Sequence, residues 1–148
     1  MFKHLLVPTD GSELSTSTVD RAITFAREAK ARITFFYARP DYPVSFYGEG
    51  ALIDPTSPEQ FARMTETQAN EILAQATEKA AAAGVEAQGK NAVHDLPYQA
   101  IIDAAVAEGC DLIFMASHGR RGLAGLLLGS ETQKVLTHST IPVLVYRG

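Results

Sequence analysis

The stretch from Asp111 to Arg147, DLIFMASHGRRGLAGLLLGSETQKVLTHSTIPVLVYR, constrains the fold more than any other part of the chain. It holds an apolar strand, a glycine-rich loop, a helix start and a second apolar strand. In a parallel α/β sheet that order brings loop amides and a helix N-terminus together at the end of a strand, where they converge on a negative group. The pattern points to a phosphorylated ligand.

The rest of the chain repeats the alternation. Phe2 to Pro8 reads as a first strand, whose continuous run Leu5-Leu6-Val7 suits a sheet covered on both faces. Thr9-Asp10-Gly11-Ser12 is a turn. A helix follows from Ser12 or Ser15, with Val19, Ala22, Ile23, Ala26 and Ala29 on one face. Ile33 to Ala38 is a second strand. Arg39 to Ser57, rich in proline, glycine and aromatics, reads as a long loop. Ser57-Pro58-Glu59-Gln60 opens a long helix as a capping box with proline in its first turn. Its expected buried stripe is Phe61, Met64, Ile72, Leu73, Ala76 and Ala80, and Gly84 ends it. Val85 to Val93 alternates and suggests an edge strand. Asp95 is the expected cap of the next helix, with Tyr98, Ile101, Ile102 and Ala105 on one face. Asp111 to Met115 is a fourth strand. Ser130 and Gln133 read as a second capping box, and Pro142 to Tyr146 as a fifth strand. Strands alternating with helices imply a parallel sheet with right-handed crossovers and helices on both faces. The 148 residues are expected to form one domain, 1–148.

Composition excludes several classes of function. A net charge of −4 with acids and bases interspersed argues against a nucleic-acid surface. No apolar run approaches a membrane span of roughly 20 residues. The apolar run in MFKHLLVPTDGS stops at Pro8, too short for a signal peptide. The single cysteine, Cys110, forms no internal disulfide, which fits a reducing cytoplasm, and reads as a small filler near a strand start. His4, His94 and His138 show no metal-ligand spacing, and no metal site is expected.

Ligands of open parallel sheets bind at the carboxyl ends of strands where the strand order reverses. If the first strand is central, Pro8 to Ser12 and Ala116 to Gly119 face each other across such a crevice. Asp10 can accept hydrogen bonds from ribose hydroxyls there, and backbone groups around Pro8, Ala38 and Met115 can edge an adenine. Gly119, Gly122 and Gly129 let amides approach an anion. The amides of Ser130 and Glu131 sit at the positive end of a helix, with Arg120 and Arg121 nearby. The chain contains neither a GxxxxGK[ST] loop nor a GxGxxG turn after the first strand.

At these residues the chain resembles the universal stress protein family, of the nucleotide-binding kind. The resemblance covers nearly the whole chain and includes LLVPTDGS, ASHGRRGLAGLLLGSETQKVL and IPVLVYR. The family's ATP motif is a glycine, two residues, a second glycine, nine residues, then glycine with serine or threonine. Gly119 matches the second glycine, Arg120 to Leu128 supply the nine residues, and Gly129-Ser130 completes the motif. The first position is Ala116 instead of glycine. That methyl is tolerated if the strand end stays extended. The resemblance implies an open five-stranded parallel sheet of order 3-2-1-4-5, Rossmann-like and akin to the adenine nucleotide alpha hydrolases. It implies ATP, with or without Mg²⁺, as ligand. Asp10 would hold the ribose, with Thr9 beside it among the site residues, Ala38 and Met115 would lie near the adenine, and Gly119, Gly129, Ser130 and Glu131 would meet the phosphates. It also implies a homodimer through Pro142 to Tyr146, a stress-response role in the cytoplasm and an unidentified protein partner.

Plainer readings stand beside these. Asp10 also suits a turn or helix cap, Ser130 a cap for its own helix, and Arg120 and Arg121 solvated charges. His118 suits a turn-shaping role. The apolar patch Leu123 to Leu128 suits packing or an interface, and Tyr42, Phe46 and Tyr47 a lid or loop packing. A slow ATPase would have Asp10, Glu131 and His118 as its only candidate groups, and no catalytic residue is assigned. A protein-interaction module indifferent to nucleotide is the remaining alternative.

Overall fold

A computed structural model describes residues 1–41, 57–118 and 128–148. The elements run β1 (His4–Pro8), α1 (Glu13–Ala29), β2 (Arg32–Arg39), α2 (Pro58–Ala82), β3 (Ala87–Val93), α3 (Pro97–Ala107), β4 (Leu112–Ala116), α4 (Ser130–His138) and β5 (Val143–Tyr146). All five strands pair in parallel, in the order β3-β2-β1-β4-β5. The order reverses between β1 and β4, as the 3-2-1-4-5 expectation requires.

The continuous apolar runs follow from helices on both faces. Leu5, Val7, Ile33, Phe35, Leu112 and Phe114 pack with Val19, Ala22 and Ile23 of α1 and Ala69, Leu73, Ala76 and Ala80 of α2. Leu6, Phe36, Ile113 and Met115 pack with Ala100, Ile101 and Ala105 of α3 and Val135 of α4. Leu5, Leu6, Phe35, Ile113 and Phe114 are fully enclosed, each contributing about 1.5–3 kcal/mol by removal from water. Phe25 meets Phe114 edge-on at 5.6 Å between centroids.

Local signals place the helix ends, and four expectations change. Ser12 caps α1 by accepting the Ser15 N–H, so Ser15 is inside the helix. Ala29, the last residue of α1, is exposed, and Lys30 closes the helix in the left-handed conformation at φ 58°. Ser57 and Gln60 form both bonds of the capping box that starts α2. The buried stripe of that helix is Thr65, Ala69, Leu73, Ala76 and Ala80, and Met64 is 61% exposed. Asp95 does not cap α3. Leu96, held extended by the following Pro97, occupies the cap and makes no side-chain bond. Gly129, with φ −72° and ψ 163°, takes the cap position of α4, so Ser130 is its first helical residue. Gln133 is then one residue too far along for a capping box, and its Nε2 donates to the Leu128 carbonyl at 3.1 Å.

Among the described residues no helix is long and apolar enough to cross a membrane.

Candidate functional site

The first turn after β1 is built on small hydroxyls. Thr9 is 7% exposed. Its N–H donates to the Phe36 carbonyl at 2.9 Å, which holds the end of β1 against β2. Ser15 reaches back from α1: its hydroxyl donates to Thr9 Oγ1 at 2.8 Å and accepts the Asp10 N–H at 3.0 Å. Asp10 Oδ1 accepts the Ser12 N–H at 2.9 Å, closing a turn that passes through Gly11 at φ 79°. Asp10 therefore has the turn role, and its carboxylate is held half-buried at the carboxyl end of β1. Pro8 and Ala38, at the ends of β1 and β2, are also half-buried. The Met115 side chain lies in the layer with α3 and α4, leaving its backbone as the part that can face a ligand.

The end of β4 is joined to α4 at close range. Gly129 N–H donates to the Ser117 carbonyl at 2.7 Å, and Thr132 Oγ1 to the Ala116 carbonyl at 3.0 Å. Ser117 N–H donates to the Tyr146 carbonyl, so β5 braces the same point from the other side. A Cβ on Gly129 would stand 3.1 Å from both Cα and Cβ of His118. The glycine is needed for this close approach, since its φ and ψ suit any residue. Ala116 ends β4 in extended conformation; among the described residues Lys30 alone of the non-glycines has a positive φ. Its methyl therefore causes no backbone strain. His118 lies against Gly129 with Nδ1 3.2 Å from Ser117 Oγ, consistent with a turn-shaping part.

With glycine at its cap, α4 has no side-chain cap bond at its N-terminus. The first-turn amides, Ser130 and Glu131 among them, form the positive end of the helix dipole beside the β4 terminus. The carboxylate of Glu131 is committed elsewhere: Oε1 accepts the Tyr98 N–H of α3 at 2.9 Å, and Oε2 lies 3.4 Å from Lys134 Nζ. Gly119 and Arg120, with Arg121, Gly122 and most of the Leu123 to Leu128 patch, lie outside the described residues, as do Tyr42, Phe46 and Tyr47.

Sequence reasoning offered Ser15 as a helix cap and not as a member of this turn, and it missed Ser117 and Thr132. Ser15 had a signal, a hydroxyl three residues after the cap and five after the acid. The role of Thr132 had none, because its partner is sixteen residues earlier at a strand end.

A cavity of about 200 Å³ lies at the opposite end of the sheet, lined by His4, Arg32, Glu86, Gln88 and Glu108 among others. It is remote from the crevice. His4 beside it is 5% exposed, with Nε2 2.7 Å from Thr34 Oγ1 and Nδ1 without a partner among the described residues. Burial, helped by the Arg32 charge, pushes its pKa below the ordinary 6.5. Burial also pushes the Cys110 thiol up to about 11, so it stays protonated and unreactive.

Residues 1–147 match the model of the universal stress protein family. Universal stress protein YxiE of Bacillus subtilis (strain 168) is 32% identical over 151 residues, covering 99% of this chain and 100% of its own. Among solved structures, hypothetical protein MJ0577 superposes with a TM-score of 0.83 at 24% identity, over 100% of this chain and 97% of its own. A universal stress protein in complex with cAMP superposes with a TM-score of 0.69 at 26% identity, over 98% of this chain and 97% of its own.

Proposed function

The chain belongs to the universal stress protein family, and from that premise we propose that it binds ATP in the crevice between the ends of β1 and β4. The observation that carries this reading is the join between β4 and α4. A helix N-terminus without a side-chain cap is fixed by Gly129 against Ser117 and His118, at the reversal of strand order. The amides of Ser130 and Glu131 receive phosphate oxygens, and Gly119 and Arg120 extend that cradle. Asp10 and Thr9 serve the ribose. The backbone at Pro8, Ala38, Met115 and Ala116 edges the adenine. Mg²⁺ arrives with the phosphates. The related protein seen with cAMP supports an adenine nucleotide as the ligand class.

Bound nucleotide alters the surface offered to a protein partner, so the domain 1–148 acts as a nucleotide-dependent stress regulator in the cytoplasm. It pairs with a second copy through β5. Val143 to Tyr146 are half-buried and end the sheet. The bonds from Ile113 N–H to the Pro142 carbonyl and from Ser117 N–H to the Tyr146 carbonyl set the ladder alternation. That alternation turns the peptide groups of Val143 and Val145 to the open edge. An apolar edge of this kind is a liability unless covered, and antiparallel self-pairing closes it. Titration calorimetry with ATP, AMP and cAMP, with and without Mg²⁺, tests the nucleotide reading. Saturable ATP binding is expected, and no heat at millimolar nucleotide refutes it.

A further inference from the structure

The N-terminus of α3 lacks the partners a helix start normally has. Its cap residue, Leu96, offers no side-chain acceptor, and Pro97 has no N–H. The amides of Gln99 and Ala100 turn back to the Leu96 carbonyl. Tyr98 N–H is thus the donor that needs an acceptor from outside its own helix, and Glu131 Oε1 supplies it across thirty-three positions of sequence. The contact is more than one bond. Lys134 Nζ lies 3.4 Å from Glu131 Oε2 and 5.7 Å from the centroid of the Tyr98 ring. The His138 ring stacks on the same tyrosine at 5.2 Å, tilted by 31°. Glu131, Lys134 and His138 lie at i, i+3 and i+7 of α4, so Tyr98 lies along one face of that helix.

We propose that Glu131 is a positioning residue for the phosphate end of the nucleotide site. It holds the first turn of α4 at the angle set by the start of α3. This rests on the nucleotide reading above, because the Ser130 and Glu131 amides are the groups that take phosphate. The carboxylate has a second effect of opposite sign. A negative charge in the first turn of the helix repels a polyphosphate, and its bonds to Tyr98 and Lys134 partly neutralise that repulsion. The geometry separates the two effects. Glutamine at 131 keeps an Oε1 acceptor for Tyr98 N–H and removes the charge; alanine removes both.

The test is calorimetry of wild type, Glu131→Gln and Glu131→Ala with ATP and with adenosine, alongside hydrogen exchange at the Tyr98 amide by NMR. Glu131→Ala is expected to weaken ATP roughly three- to tenfold, a fraction of what a charge-assisted hydrogen bond is worth, and to leave adenosine unchanged. Its Tyr98 amide exchanges faster. Glu131→Gln keeps Tyr98 protected and binds ATP at least as tightly as wild type. Tighter ATP binding by both variants would show that only the charge matters and would overturn the positioning role. An equal loss for adenosine and ATP would also overturn it, marking general destabilisation. Unchanged ATP binding in Glu131→Ala with a deprotected Tyr98 would show the link to exist without serving the site. A wild-type chain that binds neither ligand refutes the nucleotide reading itself, while the Tyr98 exchange still reports on the link.

Discussion

Gly129 tests the site by the sign of a stability change. Its backbone, at φ −72° and ψ 163°, suits alanine. Judged on conformation alone, Gly129→Ala stiffens the unfolded chain and stabilises by about 0.4–1 kcal/mol. The contacts say the opposite. The added Cβ stands 3.1 Å from Cα and Cβ of His118 and 3.4 Å from the Ser117 carbonyl oxygen. Carbon–carbon contacts are optimal at about 3.5–4.0 Å, so His118 must retreat by several tenths of an ångström. The atoms in the way are backbone and Cβ, which no rotamer change can move. Overpacking of this sort costs about 1–3 kcal/mol, leaving a net destabilisation of about 0–2.6 kcal/mol once the conformational gain is set against it. For a chain of this size the upper end of that range lowers the melting temperature by roughly 5–10 °C. The Gly129 N–H to Ser117 bond, 2.7 Å in the native chain, lengthens as the loop shifts, and the first turn of α4 moves with it. Urea unfolding followed by far-UV circular dichroism reads the stability, and calorimetry reads ATP binding in parallel. A variant more stable than wild type, with full ATP affinity, would refute the claim that this glycine is there for close approach.

The remaining predictions concern the strand ends, the buried histidine and the edge. Ala116→Gly is expected to cost about 0.5–1 kcal/mol in strand stability and to leave ATP affinity within about twofold, since the native methyl sits on extended backbone; a tenfold gain by calorimetry would show that the methyl obstructs the ligand. His4 has a lowered pKa when folded, so the unfolded state takes up its proton first on acidification. Its contribution is complete above pH 6.5 and is lost progressively as pH falls from there through the folded value. His4→Gln should flatten the fall in urea midpoint between pH 7 and pH 5, and an unchanged slope would sink the assignment. Asp111 adds a second loss at lower pH. Its burial favours the protonated form, but the N–H groups of Lys3 and His4 outweigh that and hold its pKa below 3.8. Val145→Pro removes an edge-facing N–H from β5 and should convert a dimer to a monomer in light scattering while the sheet survives; a persisting dimer would place the interface elsewhere.

The sequence by itself determined the order of elements, the two-sided core and the position of the crevice. Those depend on local or periodic signals: apolar runs such as Leu5 to Val7, the Ser57 capping box, and alternation that forces parallel pairing. The spacing from Ala116 to Ser130, together with LLVPTDGS and IPVLVYR, likewise carried the family resemblance. Local signals failed where two candidates stood close together. Ser12 and Ser15 both suit a cap, and only the packed turn shows Ser12 capping while Ser15 ties Thr9 to Asp10. Gly129 and Ser130 divide the same way, with the cap falling to the residue that lies against His118.

The tertiary structure alone decided the contacts between elements far apart in the chain. The Glu131 bond to Tyr98, the Thr132 bond to Ala116 and the His4 nitrogen left without a partner among the described residues leave no mark on local pattern. A hydrogen bond needs its partners placed to within a few tenths of an ångström. Periodicity shows which face of a helix is buried, but that precision comes only from the packing of the two sheet faces.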